Sequence, residues 1–224
     1  MTFSIAARCV DTGMLGIAVS SSSPAVAARC AHARAGVGAF GTQNITDPRL
    51  GPQGLDLMAK GASADQAIAT LKQSAPHIAF RQLIAVDAKG GTAAHSGDRT
   101  LGTHATAQAL NVVAAGNLLS NEEIPAKMVA AFQRAQGHFA ERLLTAMEAA
   151  VAAGGEEGPV HSAGLLIVRE VPWPIADLRV DWSDGDPIAE LRRLWGVYKP
   201  QLEDYVTRAL NPTAAPSFGV PGDK

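Results

Sequence analysis

Residues 1–23 read MTFSIAARCVDTGMLGIAVSSSS. Two runs of strand-forming residues, 3–9 (FSIAARC) and 15–21 (LGIAVSS), flank VDTGM, where Asp11 and Gly13 supply turn chemistry. The stretch predicts a β-hairpin at the start of the chain. Outward from it, 36–42 (GVGAFGT) predicts a third, glycine-rich strand.

Then the period changes. Leu55, Leu57 and Met58 mark a helix over 51–60. Ser63 and Gln66 have the spacing of a capping box for a second helix over 63–74, with Gly61 as the break. Strands follow at 80–87 (FRQLIAVD) and 91–95 (GTAAH), joined by AKGG, and again at 110–115 (LNVVAA). Ser120 and Glu123 predict another capping box, ahead of the amphipathic set Ile124, Met128, Ala131 and Phe132. Phe139, Leu143, Met147 and Val151 make the next helix, ending near Gly154-Gly155. Strands return at 162–169 and 177–182. Asp186-Pro187 starts a helix that Pro200 should interrupt, with a short helix near 201–210. Strands and helices come in blocks, which favours antiparallel sheets with helices outside them over a doubly wound parallel sheet. Residues 1–210 are expected as one domain. A Pro- and Gly-rich tail, 211–224, follows.

The 224 residues carry 19 Lys plus Arg against 21 Asp plus Glu, a formal charge of −2. That balance offers no basic stripe for nucleic acid. Hydrophobic residues are 47% of the chain but aromatics only 5%, so the core must be built of Ala, Val, Leu and Ile. Cys9 and Cys30 do not make a disulfide scaffold and read as buried small hydrophobes. No apolar run approaches the ~18–20 residues of a membrane helix, and the first residues do not have the plan of a signal peptide. A cytoplasmic location without membrane partners is expected.

The common catalytic signatures are missing: no G-x-G-x-x-G joining a strand to a helix (GVGAFG at 36–41 falls in the expected third strand), no P-loop, no H-E-x-x-H and no G-x-S-x-G. No metal or other cofactor is expected; His95 and His104 could at most meet across a hairpin. Thr2 is the informative position. Removal of Met1, favoured by a small second residue, would leave a free α-amine on a threonine that opens the first strand. Such a residue is nucleophile and base in one unit, because an α-amine of pKa ~7.7–8.0 can accept the hydroxyl proton.

Several phrases carry a resemblance along nearly the whole chain: TFSIAAR from Thr2, GTQNITDPRLGPQGLDLMAKG at 41–61, AAGNLL at 114–119, HSAGLLIV at 161–168, DLRVDW at 177–182 and DPIAELRRLW at 186–195. In this order they resemble the bacterial family labelled domain of unknown function 1028, which is placed by fold among the N-terminal-nucleophile (Ntn) hydrolases, with a proteasome-subunit-like fold. The resemblance implies an α+β fold, a four-layer αββα sandwich of mainly antiparallel sheets. It implies no substrate.

In such a fold a polar residue at the end of the second strand supports the nucleophile. Here that is Ser20 or Ser21, where proteasome-like enzymes carry an acid. Arg29 and Arg34 precede the third strand and would act by electrostatics or by clamping a substrate carboxylate. Oxyanion donors are expected from Thr42-Gln43-Asn44 or from Asn117, with Gln43 and Asn117 as the candidates. Arg179 and Asp181 share a strand face and either pair or line the pocket. Asp47-Pro48-Arg49 shapes the entry to a helix whose N-terminus could hold an anion. The expected activity is hydrolysis of an amide-like C–N bond in a small substrate, an acidic one where the arginines line the site. The rival is a non-catalytic binding or assembly protein on the same sandwich. Trp173, Trp182 and Trp195 are expected to anchor a homodimer.

Overall fold

A computed structural model describes residues 1–215. It contains two sheets in which every strand pairing is antiparallel. The opening hairpin forms as expected from β1 (Thr2–Arg8) and β2 (Leu15–Ser21), turning through Gly13 at φ 69°. A single helical turn, α1 (Ala27–Cys30), and a short strand, β3 (Ala31–Arg34), follow. Neither has a sequence signature: four residues are too few to show a period. The glycine-rich strand is β4 (Gly38–Asn44).

Helices α2 (Leu50–Ala59) and α3 (Ala64–Ser74) break at Gly61, φ 101°, and the Ser63–Gln66 capping box is complete. Next come β5 (Arg81–Asp87), β6 (Thr92–Ser96), β7 (Ala105–Ala109) and β8 (Val112–Asn117). Helices α4 (Ile124–Arg134) and α5 (Phe139–Ala152) follow, then β9 (Ser162–Val168), β10 (Ala176–Val180) and α6 (Pro187–Tyr198). Pro200 lies in a 3₁₀ turn that divides α6 from α7 (Leu202–Leu210). Of the expected tail, Pro212–Ala214 form a 3₁₀ turn and 216–224 lie outside the described residues.

The second capping box is not there. Glu123 stands at the N-cap of α4 in helical φ/ψ without a side-chain cap, and Asn121 Oδ1 accepts from the Glu123 amide instead. Ser120 is held away because its N–H bonds Gly155 O, 3.0 Å, beside a bridge between Leu119 and Glu156.

The six-stranded sheet runs β10-β9-β2-β1-β8-β7 and the four-stranded sheet β3-β4-β5-β6. Strand alternation sorts the side chains. Phe3, Ile5 and Ala7 point to a large apolar cluster with α4, α5 and α6. Ala6, Leu15 and Ile17 point the other way and meet Ala39, Ile84 and Val86 of the four-stranded sheet. That sheet's other face packs Phe40, Leu83 and Ala85 on α2 and α3. No helix among the described residues is long and apolar enough to cross a membrane.

Candidate active site

β1 is a central strand, so its first residue has neighbours on both sides. The β1–β2 and β1–β8 registers set Thr2 between Ser21 and Asn117, and the β2–β9 register adds Ser162. Directly opposed residues share a face. One end of the inner sheet face therefore carries a polar row, Ser162, Ser21, Thr2, Asn117, each at most 6% exposed. Thr2 Oγ1 lies 3.2 Å from Ser21 Oγ. The Met1 carbonyl oxygen accepts hydrogen bonds from the hydroxyls of both Thr2 and Ser21. Ser23 N donates to Ser21 Oγ at 3.1 Å, so the hydroxyl is held by its own turn. Ser20 faces away and donates to Ser162 O.

Behind the row runs a buried amide network. Ser4 Oγ donates to Gln43 Oε1, 2.6 Å, and Gln43 Nε2 to Gln82 Oε1, 2.8 Å. Asn117 Nδ2 donates to the same Gln82 Oε1 at 3.1 Å. Each candidate oxyanion donor thus gives one of its two side-chain N–H groups to Gln82 Oε1. Gln43 ties the two sheets together, and Asn117 Oδ1 is buried without a partner. The hydroxyl that already binds a carbonyl oxygen beside Thr2 is that of Ser21.

The arginines already have partners. Arg34 pairs with Asp56 at 2.8 Å and sits opposite Gly38, at the start of β4, five residues or ~17 Å of strand from Gln43. Arg29 is bound to the Pro24 and Ala25 carbonyls. Arg179 is forked onto Asp177, on a strand three places from β1 in the sheet order, and Asp181 is exposed. Arg49 folds back on Asp47, whose carboxyl it holds down at about 2, so this loop neutralises itself. The structure brings Thr2, Ser21 and Asn117 together, while Arg34 lies at the other end of its strand pair and Arg29 and Arg179 are bound to other partners.

Sequence reasoning missed two site residues, Gln82 and Glu156. Glu156 Oε2 accepts from Ser22 N at 3.3 Å and its backbone bridges Leu119. Those contacts lie just past the ends of β2 and β8, so Glu156 spans the open end of β1. Burial raises its carboxyl to about 7, against the opposing pull of the Met1 α-amino group and the Ser22 contacts. The signal available was the string GGEEG at 154–158, which reads as an ordinary solvated turn. The His161 backbone N–H donates to Ser21 O, and the His161 ring stacks on Trp182, ring centroids 4.3 Å apart. Among the described residues no cluster of three or more His, Cys, Asp or Glu could hold a metal.

A model of the DUF1028 family, a family of unknown function, matches residues 2–191. The chain belongs to that family. The DUF1028 chain is 27% identical to a Silicibacter pomeroyi protein of the same family whose crystal structure is known, with a TM-score of 0.83 over 88% of this chain and 89% of that one. A distant likeness is to Anbu, an ancestral β-subunit from Yersinia bercovieri, at 12% identity and a TM-score of 0.41 over 91% and 97% of the chains. No curated protein matches.

Proposed function

We propose that this DUF1028 protein is an amidohydrolase of the N-terminal-nucleophile type, built as a four-layer αββα sandwich and acting on a small acyl compound. The observation that carries the reading is the buried row itself, with a hydroxyl nucleophile at the mouth of a central strand and Ser21 Oγ 3.2 Å from it. While Met1 is attached, the Thr2 nitrogen is an amide and takes no proton. Its removal makes that nitrogen an amine. The amine takes the Thr2 hydroxyl proton, and Oγ1 bonds to the acyl carbon. The oxyanion that forms accepts from Ser21 Oγ–H, in the place now held by the Met1 carbonyl. The α-ammonium then protonates the leaving amine as the C–N bond breaks. Water, deprotonated by the same amine, cleaves the acyl-threonine ester and releases the acid.

Intact-mass measurement on protein from its native host should show the loss of one methionine residue. Screening with simple acyl amides should then give turnover. Thr2→Ala should remove it by on the order of a thousand-fold or more, and Thr2→Ser should retain part of it. A protein that keeps Met1 and turns over none of them refutes the proposal. The Met1 carbonyl capping both hydroxyls favours a second reading in that event, a binding or assembly protein on the same sandwich.

A further inference from the structure

The direction of the buried amides decides which group the site can hold. Gly116 O can only accept, so the end of Gln82 that meets it at 3.0 Å is Nε2, which also reaches Ser96 Oγ at 2.9 Å. Gln82 Oε1 must then point the other way, where it receives Gln43 Nε2 and Asn117 Nδ2. Turning Asn117 round would set oxygen against oxygen. Its Oδ1 is therefore the end left over beside Thr2, in a residue 1% exposed. Glu156, 6% exposed, leaves Oε1 in the same condition over the end of β1. Among the described residues these are the buried side-chain oxygens without a partner. Both flank the first residue of β1, and both only accept while Glu156 is ionised. Arg29 and Arg34, which could have received a carboxylate, are engaged elsewhere.

We propose that the space beside Thr2 is a subsite for a protonated primary amine, so that the ligands of this site are aminoacyl amides with a free α-amine and not acidic acyl compounds. Asn117 Oδ1 and Glu156 Oε1 are the two acceptors for the ammonium protons, and Glu156 supplies the opposing charge. Gln82 is a positioning residue, since its amide keeps Asn117 facing outward. The inference rests on the proposed site but not on its turnover.

The test reads binding without chemistry. A chain beginning at residue 2 and carrying Thr2→Ala is titrated calorimetrically at about pH 7.5 with methioninamide, N-acetylmethioninamide and succinamate. Methioninamide should bind at least about ten-fold more tightly than either of the others, the difference expected of one charge-assisted hydrogen bond. Glu156→Gln, an isosteric change, should erase that preference while leaving the N-acetyl compound's affinity unchanged. Equal binding of the free and acetylated compounds overturns the proposal and means that the chain's own α-amine fills both acceptors. Tighter binding of succinamate overturns it as well. Selective amine binding by a protein whose Thr2 form hydrolyses no amide would sink the hydrolase reading and leave this one standing.

Discussion

Glu156 has a carboxyl at about 7 because burial disfavours its charge, whereas an unfolded glutamate ionises near ~4.3. The raised folded value means the native state binds the proton more tightly. The group's contribution is most favourable below the unfolded pKa and is lost as pH rises through about 7. We expect Glu156→Gln to be more stable than the parent at pH ~8, by up to ~3 kcal/mol before relaxation, and to show no such gain at pH ~4. Urea titrations at the two pH values measure it; a gain of equal size at both would show that the charge is not the cause. Legibility differed sharply among single residues. Thr2 could be read because a threonine at the head of an apolar strand carries its own chemistry. Ser21 and Asn117 could be read as strand ends. Which way an amide points is set by Gln82, a partner distant in sequence from both Gln43 and Asn117, so the donor role assigned to them had no local check. The arginines misled for the opposite reason: segment position was taken for proximity, yet Arg34 lies at the far end of its strand pair.

The helix α2 approaches the four-stranded sheet through glycines. A Cβ at Gly54 would stand 2.3 Å from the Phe40 ring and one at Gly51 2.1 Å from the His32 ring. Leu55 and Met58 gave this helix away by their spacing, but nothing local shows that Gly51 and Gly54 let it sit close, because the rings they meet belong to strands distant in sequence. Alanine should improve the helix by up to ~1 kcal/mol, while overpacking costs ~1–3 kcal/mol. Gly54→Ala should therefore destabilise the fold, with a lowered midpoint and an unchanged slope in denaturant. Other elements were hidden for physical reasons too. β7 is ATAQA, an edge strand alternating between half-buried and exposed, with no large apolar residue to mark a face. The cap of α5 is His138, which accepts from Ala140 N and completes a box with Glu141, an unusual use of an imidazole.

At the scale of the molecule, the tryptophans divide. Trp195 is 2% exposed and stacks on His138, and Trp173 packs on the main core, so these two serve the chain itself. Trp182 is 51% exposed. The two-fold dimer we propose rests on it, and Trp182→Ala should shift sedimentation at micromolar concentration from twice the chain mass to one. A parent protein that already sediments as a monomer refutes the dimer and leaves Trp182 as the stacking partner of the His161 ring. The two sheets are also joined by polar contacts, since Gln82 links β4, β6 and β8 through side chains. Replacing it with leucine, Gln82→Leu, should cost ~2–4 kcal/mol, because it strands Gln43 and Asn117 donors without partners; a smaller loss in thermal unfolding would mean water takes its place.

The position of β1 in its sheet has a consequence for synthesis. The hairpin partner β2 leaves the ribosome at once, but β8, the strand on the other side, ends at Asn117, and β9, which flanks β2, ends at Val168. The β1–β2 hairpin is thus made well before both of its edges are covered. Until most of the chain has emerged, the hairpin shows two bare edges and an apolar face, the state in which strands recruit one another. Pairings that span more than half the chain also slow the final closure. Expression yield should thus depend on chaperone supply and translation speed more than on the stability of the finished protein.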